Sequence, residues 1–416
     1  MNNLEVIDIT KKLNFPVRAL INPQFNQTYA IAMVDFGAVD TFNKVPAGAA
    51  HFLEHKLFAK PQFDSSQRFA QYGAESNAFT SYTKTAYLFK SIGHVQENIA
   101  TLLDLISRPF FTLENVHREQ EIIAQEINMY ADMPDWFLEQ TTLKSLFNQD
   151  PIAQDIAGSI ESISKITPEL LTDIYQEYYV PANLRLYLAG KVDATLLEQY
   201  LDNLITTNND LQTLIQRHQK PKVRLAPELA PIRPQQVIHF KTHRAHLMVG
   251  IRITTSPKNL SAMILLQNQL DLLLELVFGE MSEFHQKLTN DGLIDDSFGY
   301  NVIVERGYAF ALISCETDDP TRLVQVLEDY LLAGKYQSEL SSANMAVIQR
   351  DSIGSYIFAQ DYLDNLATEA AELDFYGVKI NQVPHLLDNL QVEELRTLAQ
   401  SVFKGTNLTK TIMYPE

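Results

Sequence analysis

His51-Phe52-Leu53-Glu54-His55 is the stretch on which the reading of this 416-residue chain turns. Steps of about 100° per residue bring His51 and His55 back to one helical face, and Glu54 shares it. Two neutral imidazoles and a carboxylate converging on one spot suit a catalytic zinc, with nitrogen ligands for the metal and a base for the water it holds. The order is the reverse of the commoner His-Glu-x-x-His. With ten histidines in the chain, such a pentapeptide arises by chance in on the order of one sequence in a hundred. A helix with two surface histidines and a salt-bridging glutamate would give the same five letters. The flanking sequence has to discriminate.

On the N-terminal side, Tyr29 to Phe36 reads as a buried strand ended by Gly37. Pro46-Ala47-Gly48 then precede the motif, with Pro46 placed where a helix can begin. On the C-terminal side, Phe63 to Tyr72 reads as a short amphipathic helix stopped at Gly73. Ala78 to Thr83 and Ala86 to Phe89 are rich in aromatic and β-branched residues, which predicts adjacent antiparallel strands. Val95 to Ile106 is helical by period and Pro109 closes it. Leu113 to Tyr130 is a helix by its apolar positions Val116, Ile122, Ile123, Ile127 and Met129, and it carries Glu119, Glu121 and Glu126. Glu119 and Glu126 are two turns apart and face the same way, although helical glutamates are usually just solvated. Asp132-Met133-Pro134-Asp135 breaks this helix, Trp136 starts another, and Leu184 to Leu188, closed by Gly190, reads as a strand.

A chain of this length exceeds one comfortable core, so two domains are expected. Hydrophobic residues are 46% of the sequence, enough for packed interiors. The single cysteine, Cys315, excludes an intrachain disulfide and fits a reducing compartment. Its apolar strand-like setting, Ala309 to Ser314, places it in the core rather than in a nucleophile's role. The first residues lack the basic-then-apolar pattern of a signal peptide. No apolar run is expected to span a bilayer, since Leu270 to Phe278 contains Asp271 and Glu275. A soluble, cytoplasmic protein is the expectation. The net charge of −18 argues against nonspecific nucleic-acid binding, and neither a nucleic-acid nor a membrane role is expected.

Pro221, Pro227, Pro231 and Pro234 mark 219–234 as a linker between an N-terminal domain, 1–218, and a C-terminal domain, 235–416. Past the linker the order of elements repeats in outline. Leu247 to Thr254 is strand-like, Met263 to Phe278 a long apolar helix, Tyr308 to Cys315 a strand, Arg322 to Leu332 and Leu340 to Gln360 helices, and Thr409 to Tyr414 a closing strand. Two halves of similar size and order predict a duplicated domain. His239, His243 and His246 cluster here, but strand-like flanks and the lack of a nearby carboxylate favour exposed loop and strand histidines over a metal site.

Several separated segments together resemble the pitrilysin/insulinase-type inverzincin metallopeptidases, the family that includes mitochondrial processing peptidase. They are Gly48-Ala-Ala-His-Phe-Leu-Glu-His55, Ser76-Asn-Ala-Phe-Thr-Ser81 with Thr85 and Tyr87, and Glu119 followed by Glu126-Ile127 and the Asp132-x-Pro134 break. The resemblance is clear over most of the first half and architectural over the second. It implies an α+β fold, each half a mixed, mainly antiparallel sheet with helices packed on it. It also implies zinc held by His51, His55 and Glu126, with Glu54 taking the proton from the attacking water and passing it to the leaving amine. Glu119 matches a family glutamate that supports the metal shell and is counted with Glu54 in the catalytic set. Asn77, Ala78 and Phe79 match the edge strand along which the family lays its substrate, although simple sheet core would explain Phe79 as well.

Full-length members have four such units, so this chain resembles half of a closed chamber. Active members usually carry in the second half an Arg and, further on, a Tyr that grip the substrate carbonyl. Here the segment is Leu288 to Tyr300, with Thr289 near the Arg position and Asp295 or Asp296 near the Tyr position, and no arginine lies between Arg252 and Arg306. An ionised aspartate cannot donate a hydrogen bond. The chain therefore resembles the metal-bearing member of an unlike pair, whose partner supplies the Arg and Tyr; in isolation it could form a homodimer. The function implied is a zinc-dependent endopeptidase subunit cleaving peptides or unfolded segments inside a clamshell. The alternative is a proteolytically silent binding or scaffold protein of the same fold.

Overall fold

The computed structural model describes residues 6–41, 45–219, 230–255, 257 and 259–416. The first half contributes strands β1 (Val6–Thr10), β2 (Val17–Ile21), β3 (Thr28–Val34), β4 (Ala74–Thr80), β5 (Thr85–Ser91) and β6 (Leu184–Gly190). They form one sheet in the order β1-β2-β6-β3-β5-β4. The second half contributes β7 (Gln235–Phe240), β8 (Ala245–Arg252), β9 (Gly299–Glu305), β10 (Tyr308–Thr317) and β11 (Leu408–Pro415), in the order β7-β11-β8-β10-β9. In each sheet one pair is parallel, β2 with β6 and β7 with β11, and the other pairs are antiparallel. Reading β2 to β6 against β7 to β11 in chain order, every strand takes the same place in its sheet. The duplication expected from element order is thus a duplication of topology, and the fold is α+β as the sequence predicts.

Two compact units emerge. The first is Met1–Ile127, Asp155–Val223 and Phe358–Asn381; the second is Asn128–Gln154, Arg224–Ile357 and Gln382–Glu416. The strands fall on the expected sides of the 218/235 division, but two helices depart from it. Helix α5 (Pro134–Phe147), numbered after α1 (Ala49–Phe58), α2 (Ser65–Gln71), α3 (Val95–Ser107) and α4 (Leu113–Ala131), packs on β8 and β11 of the second unit. Gly250 makes this possible, because a Cβ there would lie 2.8 Å from Thr142 Cγ2; Thr142 Oγ1 also meets Thr411 Oγ1 at 2.8 Å. Reciprocally, helix Leu363–Phe375 packs on β3 and β6 of the first unit, where Asp374 pairs with Arg18 and Arg185. The proposed linker, 219–234, lies largely outside the described residues.

Within the first unit, Ala30, Ala32 and Val34 of β3 and Phe52, Leu53 and Leu57 of α1 are buried in one core with residues of α3 and of the helix Pro168–Tyr178. The motif helix begins at Ala49, later than Pro46, with Gly48 as its N-cap at φ 86°. That left-handed backbone favours glycine, and a Cβ on Gly48 would fall 2.3 Å from the carbonyl oxygen of Ala157. Gly158, φ 81°, approaches Ala47 as closely from the other side, so this contact sets where the helix starts.

In the second unit the helix Leu260–Phe278 is 19 residues long with mean hydropathy 1.4. By length and composition it is apolar enough to cross a membrane, which corrects the expectation drawn from Asp271 and Glu275. It lies against β9, with Leu270, Leu273, Leu274 and Val277 buried as in an ordinary core helix. Cys315 is a buried free thiol.

Candidate metal centre

Two helices build the site. On α1, burial of Phe52 and Leu53 in the core leaves His51 and His55, both half-buried, and the more deeply buried Glu54. On α4, the buried residues are Val116 and Ile123, two turns apart. Glu119 and Glu126 each follow one of them by three residues and so form a neighbouring stripe aimed at α1.

His51 Nε2 lies 3.7 Å from Glu126 Oε1, and His55 Nε2 lies 3.8 Å from Glu126 Oε2. Among the described residues, His51, His55 and Glu126 are the group of potential ligands whose donor atoms all lie within 4.8 Å of one another. These separations are too long for hydrogen bonds. They approach the roughly 3.4 Å that bonds of about 2.1 Å impose between neighbouring ligands of a tetrahedral zinc. Two imidazole nitrogens and one carboxylate are a donor set that would suit a catalytic zinc, which keeps a fourth position for water, rather than a structural one. The residues fit the metal.

Glu119 holds the His55 ring from behind. One of its oxygens lies 3.0 Å from His55 Nδ1 and the other accepts from Lys56 Nζ at 2.9 Å. A proton on Nδ1 donated to Glu119 leaves the Nε2 lone pair directed at Glu126, the usual arrangement behind a metal-bound histidine. Burial alone would lower the His55 pKa, but the Glu119 hydrogen bond and the charges of Glu54, Glu119 and Glu126 raise it. Burial would raise Glu119, and the hydrogen bonds from His55 and Lys56 reverse this and hold it low. His51 is pushed down to about 4 by burial and then by its neighbour His55, so its imidazole is neutral at pH 7 and able to ligate. Its Nδ1 is buried with no hydrogen-bond partner among the described residues; the helix and an edge contact with the His55 ring, centroids 4.5 Å apart, place it.

Glu54 is only 7% exposed. Burial raises its pKa, helped by Glu126, against a hydrogen bond from Thr80 and the charge of His55. A carboxylate made more basic in this way suits proton abstraction near neutral pH. It opens on a cleft of about 690 Å³ lined also by His55, Asn77, Ala78, Arg118 and Ile122.

Strand β4 is the edge of its sheet, so no strand of that sheet pairs with its outward backbone groups, the side to which a further strand would add. Asn77 and Ala78 border the cleft, whereas Phe79, half-buried on the same strand, does not line it. The Ala78 amide is covered by the Asn77 side chain, 2.9 Å away. In the second unit, Thr289 falls at the end of the helix Glu283–Asn290. Asp295 is paired with Arg244 at 2.6 Å and held down to about 2 by hydrogen bonds from Ser297 and Arg244. His246 corrects the picture of exposed histidines: it is 8% exposed, its ring 3.1 Å from Asp135.

Sequence reading assigned no role to two residues that touch the site. Lys56 looks like an ordinary helical lysine, yet its side chain is 5% exposed and spent on Glu119. Thr80 stands inside the quoted Ser76 to Ser81 segment, and its period-two relation to Ser76 and Ala78 was the available signal.

Residues 20–159 match the family model described as Insulinase (Peptidase family M16), and residues 165–347 match that of the Peptidase M16 inactive domain. A Bacillus subtilis (strain 168) protein named as an uncharacterized zinc protease, YmfH, is 32% identical over 403 residues, spanning 94% of this chain and 92% of that one. The crystal structure of an M16-like peptidase from Alicyclobacillus acidocaldarius superposes with a TM-score of 0.89 at 26% identity, covering 100% of this chain and 99% of that one. The first half of the periplasmic protease PqqL from Escherichia coli shares the fold, with a TM-score of 0.74 at 16% identity over 99% of this chain and 92% of that one.

Proposed function

The chain belongs to the insulinase family, peptidase family M16, and from that premise we propose that it is the metal-bearing subunit of a zinc-dependent endopeptidase. The observation that carries this reading is the convergence of His51, His55 and Glu126 beside the buried Glu54, at a cleft bordered by an edge strand. His51, His55 and Glu126 would hold the zinc, and Glu119 would orient His55. Bound zinc supplies the positive charge that polarises a peptide carbonyl and acidifies the attacking water. Glu54 takes a proton from that water as the carbonyl is attacked, then delivers it to the amine as the C–N bond breaks. Ala78 and its neighbours on β4 receive the peptide backbone as an added strand. Peptides and unfolded segments are the substrates that can extend along such an edge.

The substrate-gripping Arg and Tyr come, in this reading, from a second, homologous chain that completes the chamber, with a homodimer forming when the chain is alone. Work inside the cytoplasm is part of the proposal, in keeping with one buried thiol and no disulfide. Co-purification from the native cell followed by a peptide-library assay, with and without a chelator, tests it. Cleavage by the complex that chelation abolishes is expected. His51→Ala or Glu126→Ala should lose the zinc, expected at about one per chain.

A scaffold reading is favoured by one observation: Thr289 and the Arg244-paired Asp295 occupy the segment where a gripping Arg and Tyr would stand. A complex silent toward all peptides with zinc fully bound would support it.

A further inference from the structure

Glu54 has two carboxylate oxygens, and the structure treats them differently. Oε2 accepts a hydrogen bond from Thr80 Oγ1 at 2.6 Å, and no other hydrogen bond to this carboxylate is found among the described residues. Thr80 is the last residue of β4, two residues beyond Ala78 and four beyond Ser76, both of which line the cleft. A short turn holds that end of the strand: Ser81 N donates to Lys84 O at 2.7 Å, and Ser81 Oγ accepts from Lys84 N at 3.1 Å. Gly37 presses on the same turn so closely that a Cβ there would lie 2.5 Å from Thr83 N.

We propose that Thr80 is a positioning residue for the reaction, tethering Glu54 Oε2 so that Oε1 is the oxygen presented to the attacking water. This rests on Glu54 being the base of a peptidase. The hydroxyl does more than fill space. A buried carboxylate with both oxygens free could rotate about its terminal torsion, which is broad for glutamate. A hydrogen bond to a charged acceptor restricts that rotation. The tether also joins the base on α1 to the edge strand β4, so the strand that receives the peptide also holds the group that activates the water. Serine can keep the bond; valine, of nearly equal shape, cannot.

Thr80→Val and Thr80→Ser are each compared with the wild type in the complex purified with its native partner, by steady-state peptide cleavage, zinc content and crystallography. For Thr80→Val, kcat should fall about 10- to 100-fold, the loss expected for a hydrogen bond to a charged group. KM and zinc content should stay within about twofold and the Glu54 carboxylate should adopt a second orientation. Thr80→Ser should restore kcat to within a few-fold, and Thr80→Val added to Glu54→Gln should cost nothing further. A Thr80→Val complex with wild-type kcat, or a Glu54 carboxylate unmoved in its crystal structure, would overturn the proposal. So would an effect confined to KM, or an equal loss for Thr80→Ser. A wild-type complex that cleaves no peptide would instead overturn the peptidase reading on which it stands.

Discussion

Replacing Glu119 by glutamine separates the two tasks we assign to one carboxylate, pairing with Lys56 and supporting His55 as a zinc ligand. Lys56 and Glu119 are joined at 2.9 Å with side chains 5% and 12% exposed. Glu119→Gln therefore strands a buried ammonium. Breaking such a pair by removing one partner costs about 3–5 kcal/mol; glutamine still offers one oxygen, which points to the lower end, about 3 kcal/mol. For a unit of this size that is a fall in Tm of roughly 6–12 °C. Independently, His55 loses the acceptor that fixes its tautomer, and zinc affinity should fall about 10- to 100-fold. Competition with a chromophoric chelator reads the second effect, thermal unfolding of the metal-free protein the first. Lys56→Met on the Glu119→Gln background should recover stability to within about 1 kcal/mol, since no buried charge remains unpaired, and should leave zinc binding weak. Wild-type zinc affinity in Glu119→Gln would refute the support assigned to this carboxylate. Failure of Lys56→Met to restore Tm would refute the ion-pair account.

Two other perturbations act elsewhere on the same unit. Ala78→Pro removes the outward amide of the edge strand, a place where a sheet tolerates proline. It should raise KM for peptides about tenfold or more at unchanged zinc content, and an unchanged KM would exclude backbone pairing at β4. Lys60 is buried with its Nζ donating to the carbonyls of Leu105 and Arg108 at 3.0 and 2.6 Å, and burial pushes its pKa down to about 8. The unfolded chain then holds a proton that the native state has lost, so this contribution is full above about pH 10.4 and is lost as pH falls through about 8. Relative to Lys60→Met, the wild type should gain about 3 kcal/mol between pH 7 and pH 10.5 in urea unfolding; a parallel pair of pH profiles would contradict it.

Local patterns carried the reading a long way. The helix around His51 and His55, the β4–β5 pair, and α4 with Glu119 and Glu126 on one stripe all follow from periods of about 3.6 and 2 residues. The duplicated order of elements was visible in outline only, since the sequence marks no strand at β1, β2 or β9. Pairing α1 with α4 needed the resemblance, since periodicity says which way Glu126 faces but not what it faces. The partition of helices between units was not legible. Nothing local distinguishes the apolar face of α5, which packs on β8 and β11, from that of a helix serving its own half, and the same holds for Leu363–Phe375. Those contacts depend on Gly250 and on the charges around Asp374, far away in sequence. Lys56 and Thr80 escaped for a related reason. Their roles arise from burial beside a carboxylate on another element, and a lysine or threonine by itself carries no such mark. His246 was read as exposed because its strand lies beside Asp135 of a helix contributed from the other side of the presumed linker.

The account stands most directly on Glu54, and one measurement addresses it: the peptide-cleavage rate of the Glu54→Gln complex, normalised to bound zinc. Glutamine keeps the shape of the side chain and can still meet Thr80, but it cannot take a proton. A full zinc complement with kcat/KM lower by about 10³-fold or more is the predicted result. Cleavage at the wild-type rate with zinc bound would contradict the mechanism.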